Sequence, residues 1–433
     1  MKPAKDPIER KEIFWTPLDN AAKIFPAIRS NEHTIVIRLT AELKERVAIK
    51  PLFAAISQVE KRFPYFKVCL RKGFFWYYLE QIDQLVTTAV DKGVPCKAFR
   101  NQKNNKLLYR ILVYKNRISA EFSHILTDGY GASTFFNSLL LFYFREKGVL
   151  SKNITYNLID AEVEKEEYED SYNKYFKENI PPVIKQSEAF HLPFPLKNKP
   201  RFNVLAAILS VKDLKSISDE RGVSITDYLV AVYLWSLQSV IGDLENQKIF
   251  NKKKILRVQV PINLRNIYPS KTRRNFSLFV LPEIDLRLGY YSFDEIVKIV
   301  YHKMQLETDE KLVNKIISRN VGSEKKLIVR GIPLLLKSLV LYLKYFSEGA
   351  NQYSGVLTNL GRLDLPDAIS ENIKYYIFTP PPPNKKLKVN CGVIGFQDKL
   401  VLSFGNITKS KAFERKFINF LVQQGIKIKL LNY

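Results

Sequence analysis

The sequence predicts an α/β protein built from two related halves, and three observations carry that prediction. At 433 residues the chain exceeds one ordinary core, since a domain usually takes about 100–200 residues. Its composition breaks between 151 and 200, where the acidic, polar run "LIDAEVEKEEYEDSYNKYFKEN" gives way to "HLPFPLKNKP", with three prolines in ten residues. The parts on either side open on the same plan, a strand followed by a helix. The expected division is an N-terminal unit over 1–180, a proline-containing crossover over 181–200 and a C-terminal unit over 201–433.

In the first half "TIVIRLT" reads as a strand and "KPLFAAISQVEKRFP" as a helix that stops at Pro64. Next, "LLYRILVY" and "RISAEFSH" alternate apolar and polar residues around the Lys115-Asn116-Arg117 turn, the pattern of a β-hairpin. In its second strand Ile118, Ala120, Phe122 and His124 share the face expected to meet the core, and Arg117, Ser119, Glu121 and Ser123 share the other. After "TDGYG", Phe135, Phe136, Leu139, Leu140 and Tyr143 recur at helical spacing, so the helix they form packs on that sheet. In the second half "NVLAAILSV" is the strand and "SITDYLVAVYLWSLQSVI" the helix, with Ser224 or Thr226 placed to cap it.

Hydrophobic residues make up 46% of the chain and aromatics 12%, enough to bury a large apolar surface in each half. The formal charge of +25 raises nucleic-acid binding as a function class, because a basic surface gains free energy by releasing phosphate counterions. The cations are scattered, however, with only short clusters such as Lys252-Lys253-Lys254, Arg273-Arg274 and Lys385-Lys386. No recognition helix, zinc finger or aromatic RNA platform accompanies them, so a phosphate-bearing small ligand is the better expectation.

Cys69, Cys96 and Cys391 are odd in number and far apart, which fits neither a disulfide framework nor a zinc site and points to a reducing cytoplasm. The opening "MKPAKDPIERKEIFW" lacks an apolar core of signal-peptide length. The most apolar long segment, "LIVRGIPLLLKSLVLYLKYF" over 327–346, is interrupted by Arg330, Pro333, Lys337 and Lys344 and falls short of a spanning helix. It reads first as a buried amphipathic helix, with contact to a membrane surface as the alternative.

The densest chemistry lies in "EFSHILTDGYG", residues 121–131. On residue types alone, His124 is equally a hydrogen-bonded core residue or a base, and Asp128 equally a helix N-cap or a charge needing an arginine partner. A metal site is disfavoured: besides His124 the chain holds only His33, His191 and His302, none in a ligand-type pairing.

His124-x-x-x-Asp128-Gly129 at a strand end, in a chain with two similar halves, resembles the chloramphenicol acetyltransferase-like superfamily of coenzyme A-dependent acyltransferases, most closely the bacterial alcohol acetyltransferase-like proteins. "RFPYFKVCL" is similar to that family's segment after the first helix, "VPINLRNIYP" to its second-domain strand ending in an arginine, and "SGVLTNLGRL" to its Asn-Leu-Gly segment. Ser123 stands where condensation domains and wax ester synthases usually carry a first histidine, and "LSFGNIT" over 402–408 is a faint echo of the plant-type Asp-Phe-Gly-Trp-Gly loop.

The resemblance implies two chloramphenicol acetyltransferase-like subdomains with mixed sheets and an active-site channel between them. It implies a monomer that takes acyl-coenzyme A, or an acyl-carrier thioester, as cosubstrate, and a small hydroxyl or amine acceptor, with no metal. His124 becomes the general base, Asp128 the structural partner of Arg265, and Gly129 the residue that lets backbones pack beside the histidine. Asn359 and Ser403 are candidate oxyanion donors. Lys271, Arg273 and Arg274 in "SKTRRNF", just after the Arg265 corner, are candidate contacts for the phosphates of coenzyme A. The alternatives are a non-catalytic or carrier-protein-binding relative that keeps the fold and uses its cleft for recognition, and, more weakly, a nucleic-acid-binding protein.

Overall fold

The computed structural model describes residues 14–431 apart from 87, 100–105, 152, 182–185 and 247–253. Most of the opening stretch, part of the crossover, and Lys252 and Lys253 lie outside the described residues. Among the rest, the strand-then-helix plan of each half is present. Val36–Leu43 is followed by the helix Ile49–Arg62, and Asn203–Ser210 is followed, after a short helix, by Ile225–Asn246. Ser224 is the cap of the latter: its Oγ accepts the Asp227 amide at 3.1 Å, and Asp227 Oδ2 accepts the Ser224 amide at 3.2 Å.

The first half is organised on a five-stranded sheet in the order Ile373–Thr379, Val36–Leu43, Arg117–Ser123, Tyr109–Tyr114, Thr88–Val90. Its hairpin, Tyr109–Tyr114 with Arg117–Ser123, is antiparallel and turns at Lys115, which takes a positive φ of 51°. The helix Gly129–Glu146 lays Phe135, Phe136, Leu139, Leu140 and Tyr143, all fully buried, into the core shared with this sheet and the helix Ile49–Arg62. The polar face of the hairpin strand is buried as well: Glu121 pairs with Arg38 and Arg110 and accepts the Cys96 amide. Those partners satisfy a carboxylate that desolvation alone would exclude from the interior.

The second half is an eight-stranded mixed sheet whose ordered path runs Ser277–Val280, Ile255–Asn263, Gly355–Leu363, Val389–Phe396, Lys399–Asn406, Asn203–Ser210, Lys429–Leu431, with Glu283–Asp285 also paired to Ile255–Asn263. Gly355–Leu363 is parallel to both its neighbours. The helices Ile225–Asn246, Phe293–Glu307 and Ala412–Gln423 supply the apolar core on it. By length and composition Ile225–Asn246 could cross a membrane, yet 72% of its apolar window is buried inside the protein, as the core helix of this half.

Two expectations need correction. The partition into 1–180 and 201–433 is crossed by Ile373–Thr379, a strand from late in the chain that pairs antiparallel with Val36–Leu43 in the first sheet. Every residue of that strand except Lys374 and Tyr375 is buried, and the core it enters also takes Ala206, Ile394, Phe396 and Val401 from the second sheet. The 327–346 segment is not a buried helix either. It forms two helices, Leu327–Gly331 and Leu334–Lys344, broken at Pro333, and their leucines are mostly exposed.

Candidate active site

The strand Arg117–Ser123 ends one residue before His124, whose amide still donates to the Ile35 carbonyl at 2.9 Å. Asp128 then takes extended backbone geometry and its Oδ1 accepts the Gly131 amide at 3.0 Å, capping the helix Gly129–Glu146. His124 and Asp128 are thus held at a corner whose strand and helix are both buried.

Asp128 has a second task. Its Oδ2 accepts from Arg265 Nη1 at 2.9 Å and from the Phe276 amide at 2.9 Å. Both side chains of the pair are 5% exposed. Arg265 ends the strand Ile255–Asn263 in a short 3₁₀ turn, lies over the Tyr130 ring at 4.5 Å, and donates to the carbonyls of Thr272 at 2.8 Å and Arg274 at 2.6 Å. N-cap and ion-pair roles for Asp128 therefore hold together, and Arg265 shapes the loop 272–276.

That loop presents Asn275, a residue for which the sequence carries no signal. Asn275 Oδ1 lies 3.3 Å from His124 Nδ1, while its Nδ2 donates to the His124 carbonyl at 3.0 Å and to Asp19 Oδ2 at 3.0 Å. A carbonyl and a carboxylate only accept, so the amide can sit in one orientation. Oδ1 then faces the ring, Nδ1 carries the hydrogen, and Nε2 keeps its lone pair. Burial holds the imidazole below its usual pKa of 6.5, opposed by the Asn275 hydrogen bond and the Asp128 charge, and the Phe25 ring covers it with centroids 5.3 Å apart. The result is a neutral imidazole at neutral pH with a defined basic nitrogen.

Asp19, also missed, is fully buried and accepts the Ala22 amide at 2.8 Å. Burial pushes its carboxyl up to about 6, against the pull of Arg274, whose Nε lies 3.6 Å away.

The glycine that the corner requires is Gly131 rather than Gly129. A Cβ on Gly131 would stand 2.0 Å from the Arg273 carbonyl oxygen and 2.1 Å from Thr127 Oγ1, whereas one on Gly129 would meet a flexible methyl of Leu360 at 2.4 Å. Loop 272–276 packs directly against the helix N-terminus there, with Thr127 Oγ1 donating to the same carbonyl at 2.5 Å.

The remaining sequence candidates fall in different places. Ser403 is fully buried in the seam between the sheets and donates its one hydrogen to the Phe378 carbonyl, so it is not free to stabilise an oxyanion. Asn359 locks a bulge: Nδ2 donates to Thr226 Oγ1 at 3.0 Å and Oδ1 accepts the Gly361 amide at 2.8 Å, with Gly361 at φ 76°. The bulge lets Leu360 reach Gly129. Arg274 points inward, donating to the Pro17 carbonyl at 2.6 Å, which removes it from the phosphate candidates. Lys271 is exposed and paired with Glu164; Arg273 is half-buried, its Nη1 donating to Tyr130 Oη at 2.9 Å.

No family model and no curated protein matches the chain. Solved structures do. A Fusarium sporotrichioides protein crystallised with coenzyme A and T-2 superposes with a TM-score of 0.61 at 10% identity, over 96% of this chain and 99% of that one. Trichothecene 15-O-acetyltransferase from the same organism gives 0.59 at 9% identity, over 94% of each. The condensation domain of the Monacolin K polyketide synthase gives 0.60 at 10%, over 95% and 98%. The likeness spans nearly the whole chain and is one of fold: this protein has the two-lobed chloramphenicol acetyltransferase-like fold that acetyltransferases and condensation domains share.

Proposed function

We propose that the chain is an acyltransferase that moves an acyl group, in the simplest case acetyl, from a thioester to a hydroxyl or amine acceptor, with His124 as general base. One observation carries the reading: Asn275 takes the Nδ1 hydrogen, which leaves Nε2 of a neutral imidazole as a proton acceptor. Nε2 removes the acceptor proton as oxygen or nitrogen attacks the thioester carbonyl. The tetrahedral intermediate then collapses, the C–S bond breaks, and the imidazolium returns the proton to the departing thiolate. No covalent enzyme intermediate is needed. A general base accounts for about 10²–10⁴-fold of the rate, and positioning must supply much of the rest.

Coenzyme A is the expected donor, in line with a structural neighbour crystallised with it. Arg273 and Lys271, both from the loop after the Arg265 turn, are the cations proposed to meet its phosphates. A carrier-bound thioester is the second reading, favoured by the condensation-domain likeness. We place the enzyme in a reducing cytoplasm, in line with three free and buried cysteines, and take it to be a monomer.

Release of free thiol from acetyl-coenzyme A and from acetyl-pantetheine, each with mixed alcohols and amines, tests the proposal. Product should form with at least one donor, and His124→Ala should lower its rate at least ~100-fold with an unchanged thermal melt. Activity on coenzyme A but not on pantetheine assigns the nucleotide end a binding role; the reverse order assigns a carrier. Near wild-type turnover in His124→Ala sinks the base assignment.

A further inference from the structure

The helix Leu334–Lys344 is built inside out. The lysine in its middle, Lys337, is 3% exposed, donating to the Phe75 carbonyl at 3.1 Å with its ammonium 3.5 Å from the centre of the Trp76 ring. Most of its apolar side chains face away from the protein: Leu334 is buried, but Leu335 is 74% exposed, and Leu336, Leu339 and Leu343 are exposed as well. The preceding helix continues the pattern, with Leu327 83% exposed and Ile328 beside it. Phe74 and Phe75, packed edge to face with centroids 4.7 Å apart, add to the same surface through the turn whose Phe74 carbonyl accepts the Leu334 amide at 3.0 Å. Single exposed leucines need no explanation, but a contiguous row on successive helical turns marks a contact surface.

Charge decides among occupants. Lys326, Arg330 and Lys344 are exposed at the start, the joint and the end of the two helices, and the chain as a whole carries +25. A second copy seated by two-fold symmetry would bring this surface, cations included, against itself. An anionic bilayer neutralises the same cations while taking up the leucines, as surface-lying helices with an apolar face and flanking lysines and arginines do.

We propose that the face formed by Leu327–Gly331, Leu334–Lys344 and the Phe74–Phe75 turn docks on an anionic lipid surface. The helix Leu334–Lys344 packs inward on the Ala22–Ile28 segment, and Phe25 of that segment covers His124. Docking thus sets the bilayer one layer of protein from the histidine, on the side where a lipophilic acceptor or acyl chain would be held in the membrane. The docking itself does not depend on the acyltransferase reading, since it is measured without turnover.

Flotation of the full chain with vesicles of phosphatidylcholine alone and of phosphatidylcholine mixed with phosphatidylglycerol tests it. The protein should float with the mixed vesicles. Replacing Arg330 and Lys344 by glutamine should weaken binding about fivefold per cation removed, the factor equivalent to ~1 kcal/mol each. The triple variant Leu335→Gln, Leu339→Gln, Leu343→Gln keeps every charge and should lose binding. Independently of that variant's folding, Leu335→Trp should show fluorescence quenching by brominated lipid. The proposal is overturned if the triple variant floats like the wild type, which would make the contact a general effect of net charge. It is equally overturned if the Leu335→Trp reporter stays unquenched, or if the wild type ignores both vesicles; self-association through these leucines in sedimentation velocity would then assign the face to a second copy.

Discussion

Asn275 grips His124 twice, accepting toward ring Nδ1 at 3.3 Å and donating to the main-chain carbonyl at 3.0 Å. The two residues are 151 positions apart, and their contact joins the halves of the chain. It sets which ring nitrogen carries the hydrogen and which keeps its lone pair. Asn275→Ala should lower kcat about 10- to 100-fold, the loss of an interaction of ~1–3 kcal/mol, with the donor KM little changed. Because that hydrogen bond raises the His124 pKa, its removal should also move the acid limb of the pH–rate profile to lower pH. In the wild type that limb should fall below 6.5, since burial holds the imidazole under its ordinary value. A purely structural role would leave the limb in place.

Asp19 makes stability depend on pH in an unusual sense. Its carboxyl is raised from 3.8 to about 6 by burial, so the folded state binds the proton more tightly than the unfolded chain does. The contribution is fully present below about 3.8 and is lost as pH rises through about 6. Denaturant titrations at pH 4 and pH 7 should therefore show Asp19→Asn losing less stability over that interval than the wild type, by about 3 kcal/mol at most. Parallel behaviour of the two proteins would remove Asp19 as the buried acid.

The Asp128–Arg265 pair invites a double-mutant cycle. Breaking a buried pair from one side costs about 3–5 kcal/mol, so Asp128→Asn and Arg265→Met should each destabilise strongly and reduce activity. The double variant should cost less than the sum, with a coupling of about 1–3 kcal/mol. It should not recover the wild type, because Arg265 also serves the Thr272 and Arg274 carbonyls, which methionine leaves unpaired. Additive effects would mean that the two charges do not meet.

The two glycines at the corner should rank in the order opposite to that expected from the motif. Gly131→Ala pushes a methyl group into a main-chain carbonyl and should cost about 1–3 kcal/mol, with activity lost as loop 272–276 is displaced. Gly129→Ala meets only the end of the Leu360 side chain and should cost less. Thermal melts and rates on both variants decide the order.

Local physics made much of this protein readable in one dimension. The alternation of the hairpin, the helical spacing of Phe135 to Tyr143 and the cap before Asp227 each act within a few residues, so each element declared itself in sequence. The pairing of Asp128 with Arg265 was legible because a resemblance linked distant motifs, the same resemblance that put His124 forward as a base. What pattern reading could not supply was anything set by contacts between distant segments. Asn275, Asp19 and Gly131 matter through neighbours brought to them by the packing of two halves, and Arg274 and Ser403 were drawn inside by carbonyls that no local pattern announces. The 327–344 region shows the same limit from the other side. Its apolar spacing forecast an amphipathic helix, but which face meets the protein was decided by the Phe75 carbonyl and Trp76 ring that take Lys337, leaving the leucines to face outward.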